Sequence, residues 1–289
     1  MSHQTNFVLT VNAADSATLY PSKGGLRKRN DPAPSQRRLQ TEPCVLLHKM
    51  ILMDDYSEIE EIDCYDPSTD TYAEISSHAE GEARRSLLTK FHRGEIVSGQ
   101  STLMQEGAYF DENGNLFVED VEDVQIEKGP ETRRQLLTAS INMVAVRVVA
   151  ADSTTTSSQA QISDAWFGTN GDPVNLKSQY GACSYDKLQV NAANTGTVTN
   201  GVIEVTIPNN VQGESNSVIR NSVNTALRDS LGSLPSAQYD YVMQCLPPGT
   251  SGGWIAYAYI NWYLSVYNDG WCNYVSAQMH GKLETSHNV

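Results

Sequence analysis

The sequence is poor in positive charge and has no long apolar run. Its 289 residues carry 20 Lys+Arg against 34 Asp+Glu, which gives a formal net charge of −14. An acidic protein is repelled by nucleic acid and by anionic membrane surfaces, so we expect neither as a partner. No segment approaches the ~20 consecutive apolar residues that a helix needs to span a bilayer, so no membrane span is predicted.

Sequence signals for secretion are also missing. The apolar stretch 6–11 is too short for the hydrophobic part of a signal peptide, and no basic residues precede it. The chain contains no Asn-x-Ser/Thr acceptor for N-glycosylation. The residues by themselves therefore do not establish a secreted location.

Closely spaced cysteines of the kind that hold structural metals are absent too. The five cysteines form no CxxC pair; they are Cys44, Cys64, Cys183, Cys245 and Cys272. An odd number leaves one thiol unpaired if the others are oxidised, and in a reducing compartment all five could be plain buried residues. We expect structural cysteines, either bridged or buried.

The first half of the chain divides into three segments. Residues 1–42 are polar and turn-rich, and we predict a disordered leader. Residues 43–130 hold 20 Asp+Glu against 6 Lys+Arg, and their short apolar runs predict a small antiparallel β barrel or sandwich. Its strands are predicted at 45–52, 71–75, 95–97, 108–110, 116–118 and 124–126.

A linker is predicted at residues 131–140, directly after Gly129-Pro130. Arg133 and Arg134 form a dibasic pair in it. If exposed, the pair is a site for a processing protease. An ordinary linker with two arginines explains the same residues, and the sequence does not decide between these two interpretations.

The remaining segment, 141–289, predicts a mixed sheet. A nearly continuous apolar run at 142–150 is typical of a central strand with both faces covered. A Ser/Thr-rich loop is expected after it. The further elements are strands at 201–207, 239–246, 254–260 and 263–267, and helices at 217–231 and 275–283. The fold class predicted for the whole chain is α+β.

Several stretches of this segment resemble one known family. They are Met143–Ser153, Phe167–Thr169, Gly171–Gln179, Cys183–Tyr185, Cys245–Thr250, Gly252–Asn261, Ser265–Asn268, Trp271-Cys272 and Ser276–His280. Together they are similar to the gametolysin-type zinc metallopeptidases of algae and diatoms, a metzincin-like family. The resemblance implies that 141–289 is the upper half of a catalytic domain. It also implies that 43–130 is a pro-domain and that the protein is extracellular or in the secretory pathway.

The zinc-binding helix of that family reads H-E-x-G-H-N, with a third histidine beyond. Two histidines four residues apart lie on one helix face, and the glutamate between them acts as general base. Here Gly281 follows His280 in place of the glutamate, and the chain ends nine residues later, so we expect truncation just inside this helix. On a continuous helix, however, His280, Glu284 and His287 share one face.

The resemblance makes His280 and His287 the candidate Zn²⁺ ligands and Glu284 the candidate general base. The expected function is a zinc metalloendopeptidase precursor that hydrolyses extracellular matrix or cell-wall proteins. The alternatives are a His280 without a ligand at a frayed end, and a non-catalytic remnant or pseudoenzyme whose acidic β-domain binds or inhibits a partner. Cys44 or Cys64 is a candidate zinc-blocking switch in the pro-domain, although a buried structural cysteine is the favoured interpretation of each.

Overall fold

The computed structural model describes residues 38–39, 43–76, 82–104, 108–110, 115–118, 125–128 and 139–273. Over these residues the chain is α+β, with one mixed 14-stranded sheet and four α-helices, so the predicted fold class is confirmed. The helices are α1 (Glu82–His92), α2 (Gln159–Phe167), α3 (Leu176–Cys183) and α4 (Asn216–Leu231). The first eight strands are β1 (Arg38–Leu39), β2 (Cys44–Met53), β3 (Glu58–Asp66), β4 (Thr71–Ser76), β5 (Thr102–Leu103), β6 (Ala108–Phe110), β7 (Leu116–Val118) and β8 (Ile126–Glu127). The other six are β9 (Ala139–Val149), β10 (Leu188–Ala192), β11 (Val202–Thr206), β12 (Tyr241–Leu246), β13 (Trp254–Tyr259) and β14 (Leu264–Asn268).

β9 is the central strand of the C-terminal half. It runs parallel to its three neighbours β10, β11 and β12. Val144, Val146 and Val148 point to the face that packs on α4. Met143 points to the opposite face, where Trp166 of α2 lies in the same apolar cluster. A strand covered on both faces is what the apolar run at 142–150 predicts.

α4 forms where the sequence predicts a helix. Ile219, Val223 and Leu227 recur at helical spacing and are fully buried against the sheet. The hydroxyl of Ser215 caps the first turn by accepting the backbone N–H of Val218. The helix ends at Gly232, which adopts a left-handed φ of 70°.

The other four predicted strands of this half are also present, as β11, β12, β13 and β14. β14 lies parallel to β12, and β13 lies antiparallel to β14. Every residue of β13 is buried. The strands of the C-terminal half follow the order β13, β14, β12, β9, β10 across the sheet. β13 is therefore the edge strand of this half.

The N-terminal half continues this sheet. β2 pairs antiparallel with β13, from Met53 opposite Trp254 to Lys49 opposite Tyr259. β3 and β4 extend the sheet beyond β2. The strands of 43–130 therefore share a sheet with the second half, whereas the sequence predicts a barrel or sandwich of their own. The unpaired main-chain groups of a strand edge favour such an addition.

Local structure in 43–130 differs from the prediction at several places, among them the short strand β5, which the sequence does not predict. α1 was not predicted, although Ala83, Leu87 and Phe91 are buried at helical spacing. β3 was not predicted either, because acidic residues interrupt its apolar positions. The prediction of a strand at 95–97 is wrong. Those residues form bends after α1, where the Ile96 N–H bonds to the carbonyl of Lys90.

The loop expected after β9 is also more ordered than predicted, since it contains α2, α3 and β10. Of the predicted leader, Arg38–Leu39 forms β1, paired with β6, and the rest lies outside the described residues. The helix predicted at 275–283 lies outside them as well. Among the described helices, none combines the length and apolarity needed to cross a membrane.

Candidate functional site

The five site residues predicted from the sequence fall in two segments that the structure does not describe. Arg133 and Arg134 lie within 129–138, and His280, Glu284 and His287 lie within 274–289. Their roles as processing site, zinc ligands and general base therefore stay predictions. The described residues do define what surrounds the start of the second segment.

The chain that leads to His280 is anchored on one face of the sheet. Cys272 forms a disulfide with Cys245 of β12, with Cα atoms 5.8 Å apart. The indole N–H of Trp166 donates to the Cys272 carbonyl at 2.6 Å. The carboxylate of Asp269 accepts the Thr156 backbone N–H at 2.7 Å and its hydroxyl at 2.8 Å. These contacts hold residues 269–273 beside α2 and β12.

The main-chain edge of β13 is covered along its length by β2. The pairing includes Ala256 opposite Leu52 and Ala258 opposite Met50, with an irregularity between Trp254 and Ala256. The Ile260 N–H continues the contact by donating to the His48 carbonyl at 2.9 Å. An extended peptide that paired with this edge would have to displace β2.

Side chains of both halves meet in a buried ion network beneath this strand pair. Arg220 of α4 places Nη1 2.9 Å from Oδ2 of Asp63 on β3, and both side chains are 0% exposed. Lys49 of β2 places Nζ 3.3 Å from Oδ1 of Asp63 and 2.6 Å from Glu61. The Tyr259 hydroxyl of β13 donates to Asp63 at 2.5 Å and accepts from Arg220.

Charge balance explains why these groups stay ionised in the interior. Burial opposes the ionisation of Asp63, but Lys49 and Arg220 outweigh it and hold the pKa of that carboxyl below its usual range. The pKa of Lys49 is raised despite burial, because Asp63 and Glu61 lie beside it. The Arg220 guanidinium also stacks on the ring of Tyr72, 4.6 Å from its centroid. The network joins the two halves through matched charges.

A second polar cluster lies on the opposite face of β2. His48 Nε2 is 2.8 Å from Oε2 of Glu60 on β3, and His92 Nε2 at the end of α1 is 2.7 Å from the same oxygen. The three ligand-type atoms all lie within 4.8 Å of one another. Burial opposes ionisation of Glu60, but the hydrogen bonds and charges of the two imidazoles lower its pKa.

Sequence analysis did not find either cluster. Each is assembled by strand register and helix packing, because its members come from distant parts of the chain. His48 faces Ile62 and Met50 faces Glu60 across the β2–β3 pair, so His48 and Glu60 are diagonal neighbours on one face. The only sequence signal was a buried-strand pattern containing a histidine and a lysine.

All five cysteines lie among the described residues. Cys44 is bridged to Cys64 across β2 and β3, and Cys245 to Cys272, which leaves Cys183 as an exposed free thiol. This agrees with the structural interpretation and with one unpaired thiol. In this bridged form neither Cys44 nor Cys64 has a thiolate to offer to a metal. Two disulfides are consistent with a secreted protein.

Comparison with protein-family models gives one finding that bears on this arrangement. The model described as Gametolysin peptidase M11 matches residues 144–288, half of the chain, and runs from within β9 through β14 to the predicted zinc-binding residues. No curated protein and no solved structure matches. The match confirms the resemblance seen in the sequence and supports a metallopeptidase-type function. The chain therefore belongs to the gametolysin peptidase M11 family.

Proposed function

We propose that the chain is the precursor of a zinc metalloendopeptidase. In this proposal 141–289 is the catalytic segment and 43–130 is the pro-segment. The family match over 144–288 carries the peptidase assignment, and a peptidase acts on protein substrates. Extracellular matrix or cell-wall glycoproteins are the proposed substrates, and an extracellular or secretory location accompanies them.

The proposed zinc-binding residues are His280 and His287, with Glu284 as general base. Two imidazoles and a carboxylate have the donor chemistry of a catalytic zinc site. Zn²⁺, when bound, supplies Lewis-acid catalysis. Glu284 would take the proton of the attacking water at its carboxylate and deliver it to the leaving amine. Peptidases of this family are zinc-dependent in general, which supports the assignment.

The proposed role of 43–130 rests on the β2–β13 pairing. A free strand edge offers unpaired N–H and C=O groups to an extended peptide, which is a common mode of peptide recognition. β2 occupies the edge of β13 in the described structure. While it stays there, that edge is closed to a substrate. Cleavage at Arg133-Arg134, in the linker between the halves, is the proposed first step of its release.

The buried ion network favours a second possibility, in which the N-terminal half stays attached after cleavage. Withdrawing β3 would leave Arg220 without the carboxylate of Asp63 in the interior, a cost of about 3–5 kcal/mol for a broken buried pair. In that case 43–130 is an integral part of the mature fold. Both possibilities keep the peptidase assignment and differ in whether the edge of β13 is ever exposed.

A hydrolysis assay on the cleaved full chain tests the assignment. The chain is cut with a protease specific for dibasic sites and incubated with an unfolded protein substrate in the presence of Zn²⁺. We expect cleavage that stops on chelation, returns with zinc, and is abolished in His280→Ala and Glu284→Gln. His78→Ala is the control histidine variant and should retain activity. Hydrolysis that survives chelation would rule out the zinc mechanism.

A further inference from the structure

The His48, Glu60 and His92 side chains converge from three separate elements on one point. Both imidazole Nε2 atoms lie within 2.8 Å of one carboxylate oxygen, Oε2 of Glu60. The two rings are 5.8 Å apart between centroids and inclined by 53°. Residues from β2, β3 and α1 thus present two nitrogens and one oxygen to a common centre.

The buried member of this set is held in place by its surroundings. His48 is 1% exposed, and its backbone N–H donates to the Ser98 hydroxyl at 2.9 Å. Its ring lies 5.2 Å from that of Phe91, the residue before His92 on α1. This packing fixes the ring without any ligand and so supplies the preorganisation that a metal site requires.

We propose that His48, Glu60 and His92 bind a first-row divalent metal ion, with Zn²⁺ the best match. Imidazole nitrogen and carboxylate oxygen are the donors that zinc takes in proteins, at about 2.0–2.2 Å. Tetrahedral ligands at that distance are about 3.3 Å apart, so each nitrogen–oxygen separation has to open by only about half an ångström. This site is distinct from the zinc site proposed at residues 280–287.

The exposure of the cluster leaves room for a further ligand. The side chains of Glu60 and His92 are 31% and 46% exposed, whereas His48 is buried and closes the side of the cluster that faces the protein interior. A water molecule can therefore complete the coordination from the solvent side. The surrounding segment, with 20 acidic against 6 basic residues over 43–130, favours a cation electrostatically.

The metal would join α1 to the strand that covers β13. His48 lies on β2, and its carbonyl accepts the Ile260 N–H at the end of the β2–β13 contact. His92 lies at the last turn of α1. Binding a metal to both residues would stabilise this corner of the N-terminal half against local opening.

Zinc titration of the full chain tests the proposal without relying on catalysis. His280→Ala and His287→Ala are introduced together, to remove the imidazoles of the proposed peptidase site. Zinc stoichiometry is then measured by equilibrium dialysis, and coordination by the visible absorption of bound Co²⁺. Into this background we place Glu60→Gln or His92→Ala. Glu58→Gln, two residues away on β3, is the matched control.

The background chain should bind one Zn²⁺, and its Co²⁺ form should show the intense visible bands of low-coordinate nitrogen and oxygen ligation. Losing a partner outside the coordination shell weakens metal binding by up to about 100-fold. Glu60→Gln and His92→Ala each remove a direct ligand, so each should weaken zinc binding at least that much. Glu58→Gln should leave it unchanged. Glu60→Gln keeps a hydrogen-bond acceptor, and its circular dichroism reports whether the fold is retained. No zinc binding by the background chain, or equal binding by a folded Glu60→Gln variant, would overturn the proposal.

Discussion

Arg220 and Asp63 form an ion pair that is completely removed from solvent and joins α4 to β3. Arg220 Nη1 lies 2.9 Å from Asp63 Oδ2, and both side chains are 0% exposed. The two residues are 157 positions apart in the chain. The pair therefore connects the segment proposed to be released with the segment proposed to be catalytic.

Removing one partner of this pair should be strongly destabilising. Asp63→Asn leaves the Arg220 guanidinium buried without its counter-charge, and we expect the free energy of unfolding to fall by about 3–5 kcal/mol. Glu204→Gln is the matched control, because Glu204 pairs with Arg147 at the surface and is 40% exposed. It should cost at most about 1 kcal/mol. Urea unfolding of both variants measures the difference, and equal losses would contradict the assigned role of the pair.

Asp63 should also make stability depend on pH. Its pKa in the folded protein is lowered, so its contribution is fully present above the unfolded-state pKa of about 3.9 and is lost as the pH falls through the folded-state value. We expect unfolding free energy to drop as the pH is lowered below about 4, and to drop less steeply in Asp63→Asn. Urea unfolding between pH 3 and 6 provides the comparison. Parallel slopes for the two proteins would show that Asp63 does not contribute.

The disulfide between Cys245 and Cys272 should stabilise the start of the segment that leads to His280. The two cysteines are 27 residues apart, and closing a loop of this size contributes about 3.5 kcal/mol in the chain-entropy account. The double variant Cys245→Ala, Cys272→Ala should lose about that much in thermal or urea unfolding. Cys183→Ser removes a free, exposed thiol and should change stability by less than about 0.5 kcal/mol. A double variant as stable as the control would contradict this prediction.

Gly201 should not tolerate a side chain. A Cβ there would lie 2.2 Å from a ring carbon of Phe167, and the residue has a φ of +79°. Gly171 also has positive φ, at +102°, but a Cβ there would meet nothing within 4 Å. Gly201→Ala should therefore cost about 1–3 kcal/mol more than Gly171→Ala, because only the former adds overpacking to backbone strain. Thermal unfolding of the two variants measures this difference.

The elements that the sequence predicts well are those with a clear local pattern. The apolar run of β9 is covered on both faces, and Val223 and Leu227 of α4 recur at helical spacing on the buried face, so a local pattern is sufficient to predict both elements. α1 was missed because Arg84, Arg85 and Lys90 alternate with its three buried residues. β3 was missed because Asp63 looks like a surface residue until Arg220 and Lys49 are placed beside it.

The candidate sites also show that local sequence patterns do not predict contacts between distant parts of the chain. A helix motif such as the one containing His280 is local and can be recognised in the sequence. The His48–Glu60–His92 cluster depends on the β2–β3 register and on how α1 packs, which no local pattern specifies. The joining of β2 to β13 likewise depends on a contact between residues some 200 positions apart.

Residues 43–130 are proposed to close a zinc peptidase by covering β13. Zinc-dependent hydrolysis of an unfolded protein, measured before and after cleavage at Arg133-Arg134, tests this proposal. Arg133→Gln with Arg134→Gln serves as the control that cannot be cut in the linker, although the dibasic sites at 27–29, 37–38 and 84–85 remain. We predict that hydrolysis appears only after the cut, is abolished by a chelator, and never appears in the control. Equal hydrolysis by the cut chain and by the control with the intact linker would contradict the proposal.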